Sequence, residues 1–258
     1  MTFDGKVAIV TGASEGIGFA VATALVAGGA RVVMTARRES VLAAAAERLG
    51  PLASWVVGDA ADPDTAQRAV DRAVAAHGGV DLLVCNAAAL IPGGIARQPM
   101  AEVDRILAVN LRGTIALMNA AVPELARRDG AAAVVISSSM GRKPAAGLGI
   151  YGATKAALHY LVPTWATELA PLDIRVNCVC AGITDTPGLR AGAELIPGLE
   201  KIMIGTNLVK RIATAAEIAR PVLTLLDSTV SGYVTGSIWD IDGGYQLDSA
   251  GSDSRDAA

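Results

Sequence analysis

The sequence predicts one doubly wound α/β domain, and three observations predict it. Short β-rich runs alternate along the chain with Ala-rich stretches long enough for helices. Several short runs are almost wholly apolar, such as Val134-Val135-Ile136, as expected for strands covered on both faces of a parallel sheet. A glycine-rich turn, Gly12 to Gly18, separates the first strand from the first helix, where such domains offer backbone to a ligand.

Strands are expected, in order, at Val7–Thr11, Arg31–Thr35, Ser54–Gly58, Asp81–Cys85, Ala133–Ser137, Ile174–Cys180 and Ser237–Ile241. Helices are expected over 16–28, 39–49, 63–77, 100–127, 152–170 and 214–227. Gly28-Gly29 and Gly50-Pro51 supply helix stops, and Asp62-Pro63 supplies an N-cap followed by proline at the first helical position. Pro163 falls inside the 152–170 helix, where it removes a backbone donor and predicts a kink. Residues 187–210 mix Pro and Gly with Leu and Ile and read as a partly helical insertion in a domain spanning 1–247. Residues 248–258 are small and polar and read as a frayed tail.

Composition narrows the function. The 258 residues are 52% hydrophobic and carry a net charge of −3, a poor match to nucleic acid, which needs clustered positive charge. Mean hydropathy is +0.43, yet no uninterrupted apolar run reaches the roughly 18–20 residues that span a bilayer. The N-terminus reads as a strand rather than a signal peptide. Cys85, Cys178 and Cys180 are odd in number, lie in apolar runs and show no metal spacing. A soluble, cytoplasmic protein is expected.

The turn reads Thr11-Gly12-Ala13-Ser14-Glu15-Gly16-Ile17-Gly18. Glycines there permit a tight turn, close approach to a pyrophosphate and close helix–strand packing, and the N–H groups opening the helix attract phosphate. Further on come Cys85-Asn86-Ala87-Ala88, Val109-Asn110-Leu111-Arg112-Gly113, Ser138, Tyr151-x-x-x-Lys155, Ile174-Arg175-Val176-Asn177 and Asp242-Gly243-Gly244. In that order and spacing, across about residues 5–245, the set resembles the short-chain dehydrogenases/reductases. The resemblance implies a seven-stranded parallel sheet in the order 3-2-1-4-5-6-7, helices on both faces, and an oxidoreductase acting between a nicotinamide cofactor and a carbonyl or alcohol. It also implies a homotetramer.

Tyr151 and Lys155, four apart on a helix, share one face. A neighbouring Lys⁺ is expected to lower the phenol pKa toward neutrality, making Tyr a usable acid or base. Ser138 ends the fifth strand, where a parallel sheet presents groups to a ligand, and its 13-residue interval to Tyr151 distinguishes it from Ser137 and Ser139. By resemblance, Tyr151 donates the proton in carbonyl reduction and Ser138 orients the substrate. Lys155 also holds the nicotinamide ribose, and Asn110 shapes its helix and supports a water chain to Lys155.

The resemblance places the cofactor against Gly12, Ser14, Glu15, Gly16, Ile17 and Gly18, with Asn86, Ala87, Tyr151 and Lys155 further along it. Asp59 and Ala60 fall at the adenine, and Ile183, Thr184 and Thr186 pass the nicotinamide. Dinucleotide choice is read at the end of the second strand. Ala36 stands where a carboxylate would bind a ribose 2′-OH, and Arg37-Arg38 suit a 2′-phosphate by charge and bidentate bonding. NADP(H) is therefore expected over NAD(H), with Glu15 weighing slightly against.

Ala88 replaces a family glycine, which matters only if the position needs a positive φ. His159 reads as a surface or subunit-contact side chain rather than a proton relay. A mainly apolar small substrate is expected, since Leu195, Leu199, Ile202 and Met203 form a helical stripe suited to a lid over 187–210. Other readings are a 3-oxoacyl thioester reductase of the same family, a non-catalytic dinucleotide sensor, and an unrelated Rossmann-type enzyme such as a methyltransferase.

Overall fold

The computed structural model describes residues 1–190 and 204–247. The stripe Leu195, Leu199, Ile202 and Met203, most of the 187–210 insertion and the 248–258 tail lie outside the described residues.

The chain alternates as expected. It runs β1 Val7–Thr11, α1 Gly16–Ala27, β2 Arg31–Ala36, α2 Glu39–Leu49, β3 Ala53–Val57, α3 Pro63–His77 and β4 Leu82–Cys85. It continues through α4 Met100–Leu107, α5 Gly113–Leu125, β5 Ala132–Ser138, α6 Gly149–Leu169 and β6 Arg175–Ala181. Two short strands, β7 Thr184–Asp185 and β8 Ala213–Thr214, precede α7 Ala215–Leu226, α8 Ser228–Ser231 and β9 Ile238–Ile241. Seven strands form one sheet ordered β3-β2-β1-β4-β5-β6-β9, so the expected seventh strand is β9. Every neighbouring pair is parallel. β7 and β8, which were not anticipated, form a separate two-stranded ladder.

Strand alternation divides the core into two layers. Val134 and Ile136 face α1, α2 and α7, packing with Val21, Leu25, Leu42, Ile218 and Val222. Ala133 and Val135 face α3, α5 and α6, packing with Ala69, Leu117, Leu125, Leu158 and Val162. Both faces of β5 are thus buried, which explains its unbroken apolar run. Met100–Leu125 is the one described helical run long and apolar enough to cross a membrane, with mean hydropathy 1.3. Its Leu117, Met118, Ala121 and Leu125 instead pack in the second layer.

The caps act as the sequence implies. Asp62 accepts from the Asp64 N–H at 3.0 Å, with Pro63 in the first turn of α3. Thr214 and Glu217 form a reciprocal capping box on α7. α6 continues through Pro163 to Leu169.

Between α4 and α5, residues Ala108–Arg112 form a π-helical turn. The Asn110 carbonyl inside it accepts the Thr114 hydroxyl at 2.9 Å. The sequence reading of one regular helix over 100–127 missed this turn. It is held by the buried side chain of Asn110, whose contacts lie far away in sequence.

Candidate active site

The strand order reverses between β1 and β4, and their C-terminal ends open a crevice there. Gly12 has φ +62°, and a Cβ at that position would come within 2.9 Å of Asn86 Nδ2. A Cβ on Gly18 would collide with the Gly12 carbonyl. The turn therefore needs glycine at both positions. Asn86 clamps it from β4, donating from Nδ2 to the carbonyls of Thr11 at 2.8 Å and Gly12 at 3.1 Å. The Thr11 hydroxyl completes the clamp by accepting the N–H groups of Asn86 and Ala87.

Helix α1 starts without a side-chain cap and without an acidic residue in its first turn, unlike α3 and α7. Its leading N–H groups, beside Ser14, Glu15, Gly16 and Ile17, suit an anionic ligand. Thr186 packs its methyl against Gly16, bringing the segment after β6 to the same turn. The Thr184 hydroxyl is turned inward and donates to the Gly182 carbonyl at 3.0 Å, so only its backbone is presented.

A cleft with about 610 Å³ of empty space extends from Gly12 and Ser14 past Ala36, Arg37, Arg38, Asp59, Ala60, Ala87 and Arg105. Arg38 pairs with Glu15 across its mouth. Asp59 accepts the Ala61 N–H at 2.9 Å and pairs with Arg105 at 2.8 Å. Burial raises the Asp59 carboxyl, but the Arg105 bond, the Ala61 N–H and the charges of Arg105 and Arg37 outweigh it, leaving it below its ordinary value. Arg37 is exposed. The small residues, the uncapped helix and the basic rim fit a dinucleotide.

Outside that cleft, β5 and α6 bring the serine, tyrosine and lysine together. The Ser137 hydroxyl is spent on the Lys155 carbonyl at 3.1 Å, and Ser139 is buried. Ser138 is less buried, accepts the Met140 N–H at 3.2 Å, and lies near enough to the Tyr151 phenol to oppose the upward shift of its pKa. The 13-residue interval thus selects the serine that meets the tyrosine. Lys155 Nζ lies 5.7 Å from the Tyr151 ring centroid and donates to the Ile136 carbonyl at 3.0 Å.

The electrostatics correct one expectation. Burial raises the Tyr151 phenol above its ordinary value, only partly opposed by Ser138. Lys155 does not lower it. Burial instead pushes Lys155 itself down from 10.5 to about 8. With the lysine 3% exposed, removing charge from water dominates both groups.

The Asn110 Oδ1 accepts the Ala89 N–H at 2.7 Å, and its Nδ2 donates to the Ala89 carbonyl at 3.0 Å and the Thr154 hydroxyl at 3.1 Å. The amide ties the π turn to the segment after β4 and to α6. Ala88 needs no positive φ, since Asp173 is the one non-glycine with positive φ among the described residues. His159 is half-buried beneath Gly141, not on the surface, and its Nε2 is buried without a partner. Burial, with the charges of Arg142 and Lys155, pushes it down to about 4 against the pull of Asp240.

A doubly wound parallel sheet whose glycine turn opens onto this cleft defines a Rossmann-type protein. A family model described as enoyl-(acyl carrier protein) reductase matches residues 12–246. The dehydrogenase/reductase SDR family member 4 of Bos taurus is 36% identical over 246 residues, covering 93% of this chain and 87% of that protein. A short-chain type dehydrogenase/reductase from Mycobacterium ulcerans superposes with TM-score 0.90 at 29% identity, over 96% of this chain and 92% of its own. A short-chain dehydrogenase from Burkholderia cenocepacia, solved in complex with NADP, gives 0.85 at 33% identity, over 95% and 99%. The chain belongs to the short-chain dehydrogenase/reductase family and is an oxidoreductase of the kind that uses NAD(P).

Proposed function

We propose that the protein is an NADP(H)-dependent oxidoreductase interconverting a carbonyl and a secondary alcohol on a mainly apolar small molecule. The meeting of Ser138, Tyr151 and Lys155 at the sheet's C-terminal edge carries this reading. The bound nicotinamide supplies or accepts the hydride. Tyr151, protonated at neutral pH as an ordinary phenol is, donates its proton to the substrate oxygen as charge develops there. Ser138 hydrogen-bonds the same oxygen and fixes its direction. Lys155 binds the nicotinamide ribose. Asn110 positions Tyr151 and Lys155 by holding Thr154, one residue before the lysine.

The glycine turn and the start of α1 receive the pyrophosphate, Asn86 and Ala87 flank it, and Ile183 to Thr186 line the nicotinamide. Asp59 and Ala60 face the adenine. Of the two arginines after β2, Arg38 is engaged by Glu15, so Arg37 is assigned the 2′-phosphate. This favours NADP(H) over NAD(H). A homotetramer belongs to the same proposal, and light scattering at micromolar concentration tests it.

A second reading, reduction of a 3-oxoacyl thioester, is favoured by the acyl-carrier description of the matching family model. The test is purified protein with NADPH and a panel of ketones and 3-oxoacyl thioesters, following absorbance loss. Turnover on apolar ketones supports the first reading, and turnover on thioesters alone supports the second. Cofactor binding without turnover on either would favour a dinucleotide sensor.

A further inference from the structure

Arg105 received no role from the sequence, yet it lines the same cleft as Gly12, Ala36, Arg37 and Asp59. It sits in the last turn of α4, four residues before Val109, so both side chains lie on one face and line the cleft together. Its Nη1 pairs with Asp59 Oδ2 at 2.8 Å, while Oδ1 is fixed by the Ala61 N–H. The side chain is 28% exposed.

The three arginines of the cleft are therefore unequal. Arg38 is held at the rim by Glu15, and Arg105 is held at the wall by Asp59. Arg37 has no ion-pair partner among the described residues and is the group suited to a phosphate. A guanidinium whose charge is offset and whose orientation is fixed offers mainly its flat face. Such faces stack on aromatic rings, purines included. Ala36, Ala60, Ala87 and Gly58 line the same cleft with small side chains, leaving room for a planar ring.

We propose that Arg105 forms one wall of the adenine pocket, its guanidinium held by Asp59 and stacked on the purine. The proposal rests on the dinucleotide reading above and goes beyond it. Arg105 contributes to affinity whether or not a 2′-phosphate is present, whereas Arg37 reads only the phosphate.

Calorimetric titration of NADPH, NADH and adenosine 5′-monophosphate into wild type, Arg105→Ala, Arg105→Lys and Arg37→Ala tests it. Arg105→Ala is expected to weaken all three ligands by a common factor of about tenfold, the scale of a lost base-stacking contact. Arg105→Lys keeps the charge beside Asp59 but loses the plane, and is expected to behave like Arg105→Ala. Arg37→Ala is expected to weaken NADPH alone. Wild-type affinity in Arg105→Ala, full rescue by Arg105→Lys, or a loss confined to NADPH would each overturn the proposal. In those cases NADPH still binds the wild type, so the cofactor reading stands. Failure of the wild type to bind either dinucleotide would instead overturn that reading and the proposal with it.

Discussion

The arginine-lined cleft and the Ser138–Tyr151–Lys155 cluster handle charge in opposite ways. In the cleft, charges are abundant, partly exposed and paired: Glu15 with Arg38, Asp59 with Arg105. In the cluster, Lys155 is 3% exposed and bonds only to a backbone carbonyl. Pairing at the water's edge costs little and contributes little, because solvent screens each pair. An unpaired buried lysine costs far more, and burial pushes its pKa down to about 8. The cleft is therefore adjustable by small electrostatic changes. The cluster holds a buried lysine beside a phenol, and burial shifts both toward their neutral forms.

The largest expected effect sharpens the contrast at the cluster. Tyr151→Phe removes the proton donor and is expected to lower kcat by about 10²- to 10⁴-fold, the range of general acid catalysis, with cofactor Kd largely unchanged. Near wild-type kcat would show that the phenol is not the acid.

Lys155→Met tests whether the buried charge is a liability kept for function. A lysine whose folded pKa lies below its unfolded value destabilises the fold in full below about pH 8. That cost fades as pH rises from about 8 to 10.5, because the unfolded chain holds more protons across that window. The shift corresponds to about 3 kcal/mol at neutral pH. Lys155→Met is expected to raise Tm at pH 7, to lose the wild type's gain in stability between pH 8 and 10, and to lose turnover and cofactor affinity. A lower Tm at pH 7 would mean that the Ile136 bond outweighs the desolvation.

In the cleft, Ala36→Asp with Arg37→Ala adds repulsion for a 2′-phosphate and removes attraction. A charge-assisted hydrogen bond contributes about 1.5–3 kcal/mol, or roughly ten- to hundredfold. The wild type is expected to favour NADPH over NADH in kcat/KM by that factor, and the double variant to reverse it. Equal wild-type efficiencies would mean that Arg37 faces solvent.

The smallest effect concerns Glu15. Glu15→Gln frees Arg38 from an exposed pair worth at most about 1 kcal/mol, so NADPH Kd should tighten by no more than about fivefold. NADH Kd should not move. A change in both would place Glu15 at the pyrophosphate rather than at the arginine.

Much of this architecture was legible in the chain because its signals are local. Apolar runs such as Val134–Ile136 mark buried strands, and Asp62-Pro63 marks a helix start wherever the chain goes next. Tyr151 and Lys155 were readable as a pair, since helix geometry places residues four apart on one face, and the family resemblance added Ser138. Arg105 was not readable, because its partner Asp59 lies 46 positions earlier on another element. The π turn was hidden for the same reason, since it depends on Asn110 reaching Ala89 and Thr154.

The sequence by itself determined the seven strands of the main sheet and most of the helices around it, where the backbone must turn on glycine, and which chemical groups are available. Those properties follow from side-chain periodicity and backbone sterics within a few residues. Only the tertiary structure decided how each charge behaves. Lys155 looked like a cation that would lower the phenol of Tyr151, but packing buries both, and burial shifts each toward its neutral form. The fold pairs Arg38 with Glu15, a partner that spacing along the chain does not show. Desolvation and pairing depend on what surrounds a group in space, and distant segments of the chain supply those surroundings.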